Sequence, residues 1–271
     1  MNDRKIIALD LDGTILPHET YLPDRTRDCL RECQNMGHTV LLTSARHWEM
    51  SRWVYDAIGI KGPGCFLNGA HVLDPYDDSF APLELTMDRE TSAAILKEIM
   101  ANVKLTKGYI EYNNRCWSLG DKHSKYYAER IEHSIAGRFS ADNIPDSKVS
   151  KFQLFAKTEE EINRIAEIVS HYEGINIAIT QNKSDFRCSV LRKDVDKWNG
   201  ILYVAKILGV SLDNIYAFGD QWNDVTMTAN AAHGYGMLGS LAAKTSRFVT
   251  RLSCEEFGVA DVLEKEILNK N

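Results

Sequence analysis

Nowhere does this chain of 271 residues approach the roughly 18 consecutive apolar residues that a membrane-spanning helix needs, so no span is expected. It also lacks any Cys-x-x-Cys pair, its six cysteines (Cys29, Cys33, Cys65, Cys116, Cys188 and Cys254) being scattered. That spacing suggests neither a zinc site nor a disulfide framework, and buried reduced thiols are the expected fate. No long basic run offsets the net charge of −6, which argues against a general nucleic-acid surface. Met1 to Arg4 leave no room for a signal peptide before the first apolar run, so a cytoplasmic location is expected. Internal repeats and low-complexity segments are absent too. With 44% hydrophobic and 26% charged residues, the rest reads as an ordinary globular protein with room for one large domain or two of medium size.

What the chain does have is Asp10-Leu11-Asp12-Gly13-Thr14, placed directly after the apolar run Lys5-Ile6-Ile7-Ala8-Leu9. Such a run predicts a strand buried on both faces of a parallel sheet, and open α/β sheets bind ligands where their strands end. Asp10 and Asp12 share a face while Leu11 takes the other, and Gly13 permits a bend that a Cβ would resist. Two converging carboxylates repel unless a cation or a shared proton intervenes, and hard oxygen ligands favour Mg²⁺.

Other strand ends carry polar residues in the same way. Pro23-Asp24 opens a helical pattern stopped by Gly37, and His38 to Thr43 reads as a second buried strand, so a right-handed parallel crossover is expected. That strand ends in Thr43-Ser44-Ala45-Arg46, where a hydroxyl and main-chain amides could donate to a phosphoryl oxygen. Arg46 reads either as a bidentate substrate clamp or as an exposed residue at a helix start, and His47 as a surface histidine. A short strand, Cys65 to Leu67, runs into Asn68-Gly69-Ala70, itself a turn signal. After Val195-Asp196, Lys197 opens a helix carrying Ile201, Val204, Ala205 and Leu208, ended by Gly209. Ile215 to Gly219 is another buried strand, ending in Asp220-Gln221-Trp222-Asn223-Asp224. The tail adds a strand at Gly234 to Met237, a short helix near Ser240, a strand at Phe248 to Thr250 and a final helix.

Between these blocks the pattern changes. Helices are expected over Thr91 to Val103, Ser124 to Ile135 and Glu159 to Tyr172, with a hairpin over Gly108 to Leu119. Lys151 to Phe155 alternates like a half-exposed strand, and Ile175 to Thr180 and Arg187 to Leu191 are further strands. The fold class expected is α/β: a Rossmann-like doubly wound parallel core, residues 1–82 and 193–271, interrupted by an inserted α+β domain, residues 83–192.

Asp10-Leu11-Asp12-Gly13-Thr14 resembles motif I of the haloacid dehalogenase superfamily of phosphohydrolases. Ser44-Ala45-Arg46 is similar to motif II, Lys197 to motif III, and Gly219-Asp220-Gln221-Trp222-Asn223-Asp224 to motif IV. Asn68-Gly69-Ala70 resembles a stretch of the Cof-like branch with a type-two cap. The resemblance implies Asp10 as nucleophile and Asp12 as general acid/base. It implies Mg²⁺ held by Asp10, Asp220 and the Asp12 main-chain carbonyl, with Asp224 either a ligand or the residue that orients one. Phosphate would then be held by Ser44, Lys197, Asn223 and the main-chain amides of Leu11 and Ala45, with Asn68 nearby. Many relatives have glycine where Gln221 stands, and the bulk of Gln221 and Trp222 could narrow the site or meet the cap.

The activity so implied is phosphatase action on a small phosphorylated metabolite, such as a sugar phosphate, through an aspartyl-phosphate, with the insertion as lid and specificity domain. Lys183 and Arg187 are candidate contacts there. Two other readings stay open: a phosphomutase, in which a sugar accepts the phosphoryl group, and a non-enzymatic receiver or small-ligand module, for which the insertion is superfluous.

Overall fold

The computed structural model describes residues 4–120, 135–181 and 186–270. The chain runs β1 (Ile6–Leu9), α1 (Asp24–Asn35), β2 (Thr39–Leu42), α2 (Trp48–Ile58), β3 (Gly64–Phe66), β4 (His71–Leu73) and β5 (Leu83–Glu84). Next come α3 (Arg89–Asn102), β6 (Lys107–Tyr112), β7 (Arg115–Leu119), β8 (Ile135–Phe139), β9 (Lys151–Ala156), α4 (Glu159–Ser170), β10 (Ile175–Gln181) and β11 (Phe186–Arg192). It closes with α5 (Lys197–Leu208), β12 (Ile215–Gly219), α6 (Val225–Asn230), β13 (His233–Gly236), β14 (Phe248–Val249) and α7 (Gly258–Glu266). Two compact units result: Met1–Leu83 with Asp196–Asn271, and Glu84–Val195.

In the first unit β1 lies between β12 and β2 in a parallel sheet of order β14-β13-β12-β1-β2. Alternation along β1 sends Ile7 and Leu9 into one apolar layer and Ile6 and Ala8 into another. Cys29, Leu30 and Cys33 of α1 and Val259 and Leu263 of α7 complete the first layer. Ile201, Val204 and Ala205 of α5 and Met227 of α6 complete the second. A strand covered on both faces must be apolar throughout, which is why the run before Asp10 does not alternate. Leu9 is in register with Phe218 of β12 and Leu42 of β2, so Asp10, Thr43 and Gly219 leave the sheet at one level. β3 joins beyond β2 through a bridge between Thr43 and Cys65 and turns back into β4.

The second unit is a six-stranded sheet of order β10-β11-β9-β6-β7-β8, antiparallel except between β7 and β8. Residues of α3 and α4 pack with Ile110, Phe152 and Leu154 in its core. Strand β9 corrects one expectation, because it is not half-exposed. It lies between β6 and β11, and Lys151, 2% exposed, is paired at 3.2 Å with the buried Glu111. A buried ion pair therefore mimics, in sequence, the polar face of a wet strand. Burial raises the Glu111 carboxyl, with Lys151 opposing. The helix expected over Ser124 to Ile135, apart from its last residue, and Lys183 lie outside the described residues. No helix among the described residues is long and apolar enough to cross a membrane.

Candidate active site

Asp10 follows β1 with its main-chain N–H donating to the Phe218 carbonyl of β12 at 3.0 Å, which fixes it at the sheet edge. Asp196 caps α5 by accepting from the Trp198 N–H at 2.7 Å and is itself held by the Thr226 hydroxyl. That cap sets Lys197 in the first turn, 1% exposed, where its ammonium donates to Asp10 Oδ1 at 2.5 Å and to Asp224 Oδ1 at 2.6 Å. The other Asp224 oxygen accepts the main-chain N–H groups of Asp220 and Gln221 at 3.0 and 2.9 Å. Asp220 accepts from the Thr14 hydroxyl at 3.3 Å and from the Gln221 side-chain amide at 2.9 Å.

One carboxylate oxygen from each of Asp10, Asp220 and Asp224 lies within 4.8 Å of the others, and all three residues are buried. Oxygen ligands of hard divalent cations sit roughly 2.0–2.6 Å from the ion and so up to about 4.0–5.2 Å from one another, a range into which this spread falls. Burial lifts the Asp10 carboxyl well above the ordinary range; Lys197 pulls it back, and the charges of Asp224, Asp220 and Asp12 push it up again. Burial, with the charge of Asp224, pushes Asp220 up to about 6. For Lys197 burial would lower the value, but Asp10 and Asp224 more than reverse that, so it stays an ammonium. Four carboxylates (Asp10, Asp12, Asp220 and Asp224) share two cations, Lys197 and Arg46. Two negative charges are left over, which is what one divalent cation offsets. The donor set is all oxygen, as a hard divalent ion prefers.

The Asp12 carboxylate is not one of those converging oxygens. Its oxygens accept from Arg46 Nε at 2.9 Å and from Arg46 Nη2, which also reaches the Glu19 carbonyl. Arg46 is thus not an exposed helix-start residue: it is buried, with Nε and Nη2 turned to Asp12. His47 is likewise buried rather than at the surface, because the whole loop after β2 is turned inward. Ser44 is buried; its hydroxyl accepts from the Arg46 N–H at 3.1 Å, and its own N–H is spent on the Cys65 carbonyl. Asn68 has left-handed backbone, φ 61°, and its side chain accepts from the Asn223 amide at 3.0 Å. Those two amides, expected separately at phosphate, are joined to each other. Leu11 turns the chain, its carbonyl accepting from Thr14, Ile15 and Leu16. Trp222 is 38% exposed beside this cluster.

Two contributors escaped the sequence reading. Thr14 closes the Asp10 to Thr14 pentapeptide, but a threonine after glycine reads as a turn residue. The Gln221 amide holds Asp220, a bond no sequence pattern reveals.

The model of the haloacid dehalogenase-like hydrolases matches residues 7–263. A 5-amino-6-(5-phospho-D-ribitylamino)uracil phosphatase of Bacillus subtilis is 23% identical over 269 residues, covering 98% of this chain and 97% of that protein. A second Bacillus subtilis phosphatase of the same description is 24% identical, with 96% of each chain covered. Among solved structures, a haloacid dehalogenase-like hydrolase from Bacteroides thetaiotaomicron superposes with a TM-score of 0.80 at 20% identity, covering 97% of this chain and 99% of its own. A subclass IIB sugar phosphatase also gives 0.80, at 18% identity, with 96% and 98% covered. These likenesses extend over both units.

Proposed function

Because the chain belongs to the haloacid dehalogenase-like hydrolases, we propose that it is a Mg²⁺-dependent phosphatase of small sugar-like phosphomonoesters, working through an aspartyl-phosphate on Asp10. The observation that carries the reading is the meeting, at one sheet edge, of Asp10, Lys197 and Asp220 from opposite ends of the chain. The sugar-like substrate class rests on relatives whose names specify a phosphoribityl compound and a sugar phosphate. Substrate selection is assigned to the inserted unit, Glu84–Val195.

In this mechanism Asp10 attacks phosphorus, the bond from phosphorus to the ester oxygen breaks, and that oxygen takes a proton from Asp12. Water then attacks the aspartyl-phosphate, Asp12 takes its proton, and the bond from phosphorus to Asp10 breaks to release phosphate. Mg²⁺, held by Asp10, Asp220 and the Asp12 carbonyl, would supply positive charge that lets one anion approach another. Lys197 neutralises nucleophile and phosphate together, and Asp224, accepting from Lys197 and from two main-chain N–H groups, aims Lys197 and completes the acidic set. Ser44, Ala45, Leu11, Asn68 and Asn223 line the phosphate side. Arg46 keeps Asp12 oriented until the leaving group arrives.

The test is phosphate release over a panel of sugar and polyol phosphates with and without Mg²⁺. Turnover should need the metal, and Asp10→Asn should abolish it while the protein stays folded. Conversion of a sugar phosphate into its positional isomer without free phosphate would make it a mutase instead.

A further inference from the structure

Between β3 and β4 the backbone is left-handed three times in succession: Leu67 at φ 53°, Asn68 at φ 61° and Gly69 at φ 99°. The tightest hairpin turns need two left-handed positions, and Asn-Gly fills both. Leu67 is a third. A leucine has no polar side chain with which to offset the crowding of its Cβ in that conformation, and this one is buried, 1% exposed. Strained backbone of this kind persists only where its surroundings over-determine it.

Three neighbouring segments do this. The loop after β2 is laced to the turn by main-chain bonds: the Ser44 N–H donates to the Cys65 carbonyl at 2.8 Å, the Asn68 N–H to the Ser44 carbonyl at 3.0 Å and the Leu67 N–H to the Arg46 carbonyl at 3.1 Å. The segment after β12 reaches it through Asn223, whose Nδ2 donates to Asn68 Oδ1 at 3.0 Å. The start of α5 presses on Gly69, where a Cβ would lie 2.3 Å from the carbonyl oxygen of Asp196, the residue that caps the helix of Lys197. One strained turn thus touches the segments that carry Ser44, Asn223 and Lys197. Relaxing Leu67 or Asn68 to negative φ would redirect the chain and pull these contacts apart.

The Asn223 amide makes no other hydrogen bond among the described residues, so its bond to Asn68 decides which edge of that amide stays available. We propose that the Leu67–Gly69 turn is a tie that sets the spacing of the phosphate side, and that Asn68 is a positioning residue acting through Asn223. Asn68 holds one N–H of the Asn223 amide, and the second N–H is left to donate to the phosphoryl group. This assignment rests on the hydrolytic reading of the centre and adds to it a residue that works at one remove from the substrate.

The test is steady-state hydrolysis of p-nitrophenyl phosphate with Mg²⁺ by the full chain, by Asn68→Gly, Asn68→Ala and Asn223→Ala, and by the pair Asn68→Gly with Asn223→Ala, beside urea unfolding of each. Glycine takes φ 61° freely and alanine does not, so Asn68→Ala should unfold at lower urea than Asn68→Gly. Both should lower kcat/KM about tenfold, because both lose the amide. Since Asn68 acts through Asn223, adding Asn68→Gly to Asn223→Ala should change kcat/KM by less than about twofold. Activity that follows the urea midpoints, lost in Asn68→Ala and kept in Asn68→Gly, overturns the proposal, because Asn68 then only suits a left-handed turn. Losses that multiply in the pair overturn it as well, because Asn68 then meets the substrate by itself. A wild type that releases no phosphate from this ester or from sugar and polyol phosphates takes down the hydrolytic reading and the tie together, whereas an active wild type with an equally active Asn68→Gly sinks the tie alone.

Discussion

Single residues at the acidic cluster differ in what they hold. The Gln221 amide makes one hydrogen bond to Asp220, so Gln221→Ala removes about 1 kcal/mol of positioning and should raise the Mg²⁺ concentration for half-maximal activity about fivefold, with kcat changed less. A metal titration of wild type and variant checks it, and an unchanged requirement would make the contact incidental. Asp220 itself carries a pH signature. Its folded-state value of about 6 stands above the ordinary 3.8, so without metal its stabilising contribution is complete below about 3.8 and is lost as pH rises through about 6. The loss is of order 3 kcal/mol, because each pH unit between the two values is worth about 1.36 kcal/mol. In chelator, Asp220→Asn should therefore be more stable than wild type at pH 8 and converge with it near pH 4, read as urea midpoints. Added Mg²⁺ should reverse the order at pH 8. A variant less stable than wild type in chelator at pH 8 would mean that Asp220 is not charge-strained.

Among elements, the loop after β1 depends on its glycine. Gly13 has φ +80°, and a Cβ there would meet Asp220 Oδ2 at 2.4 Å. Gly13→Ala combines a left-handed alanine, about 1–2 kcal/mol, with displacement of a proposed metal ligand. It should lower the melting temperature by a few degrees and Mg²⁺-dependent turnover by much more; turnover falling only in step with stability would count against Asp220 as a ligand. This loop also shows where sequence is legible. β1 could be read because a doubly covered strand must be apolar, and Lys197 because it opens a helical stripe of Ile201, Val204, Ala205 and Leu208 and is similar to motif III. The partnership of Arg46 with Asp12 could not, since nothing local tells a guanidinium which anion it faces. β9 misled for a related reason: Lys151 is buried by pairing with Glu111 from another strand.

At the scale of the molecule, the acidic cluster belongs wholly to the discontinuous unit, Met1–Leu83 with Asp196–Asn271, while Glu84–Val195 has an apolar core of its own. The cluster joins Asp10 to Lys197 across 187 residues and Thr14 to Asp220 across 206. Its assembly therefore requires the first unit to be folded, whatever is inserted between its halves. Metal binding must then stabilise that unit through the loops after β1 and β12. By linkage, a metal at a hundred times its Kd contributes about 2.7 kcal/mol to states that hold the site and nothing to states that lack it. Hydrogen exchange should record this unevenly: Mg²⁺ should slow the amides of Asp10 to Leu16 and of Asp220 to Asp224, and leave α3 and α4 of the second unit unchanged. Equal slowing in both units would mean that their openings are one cooperative event, and no change near Asp10 would remove the metal from this cluster.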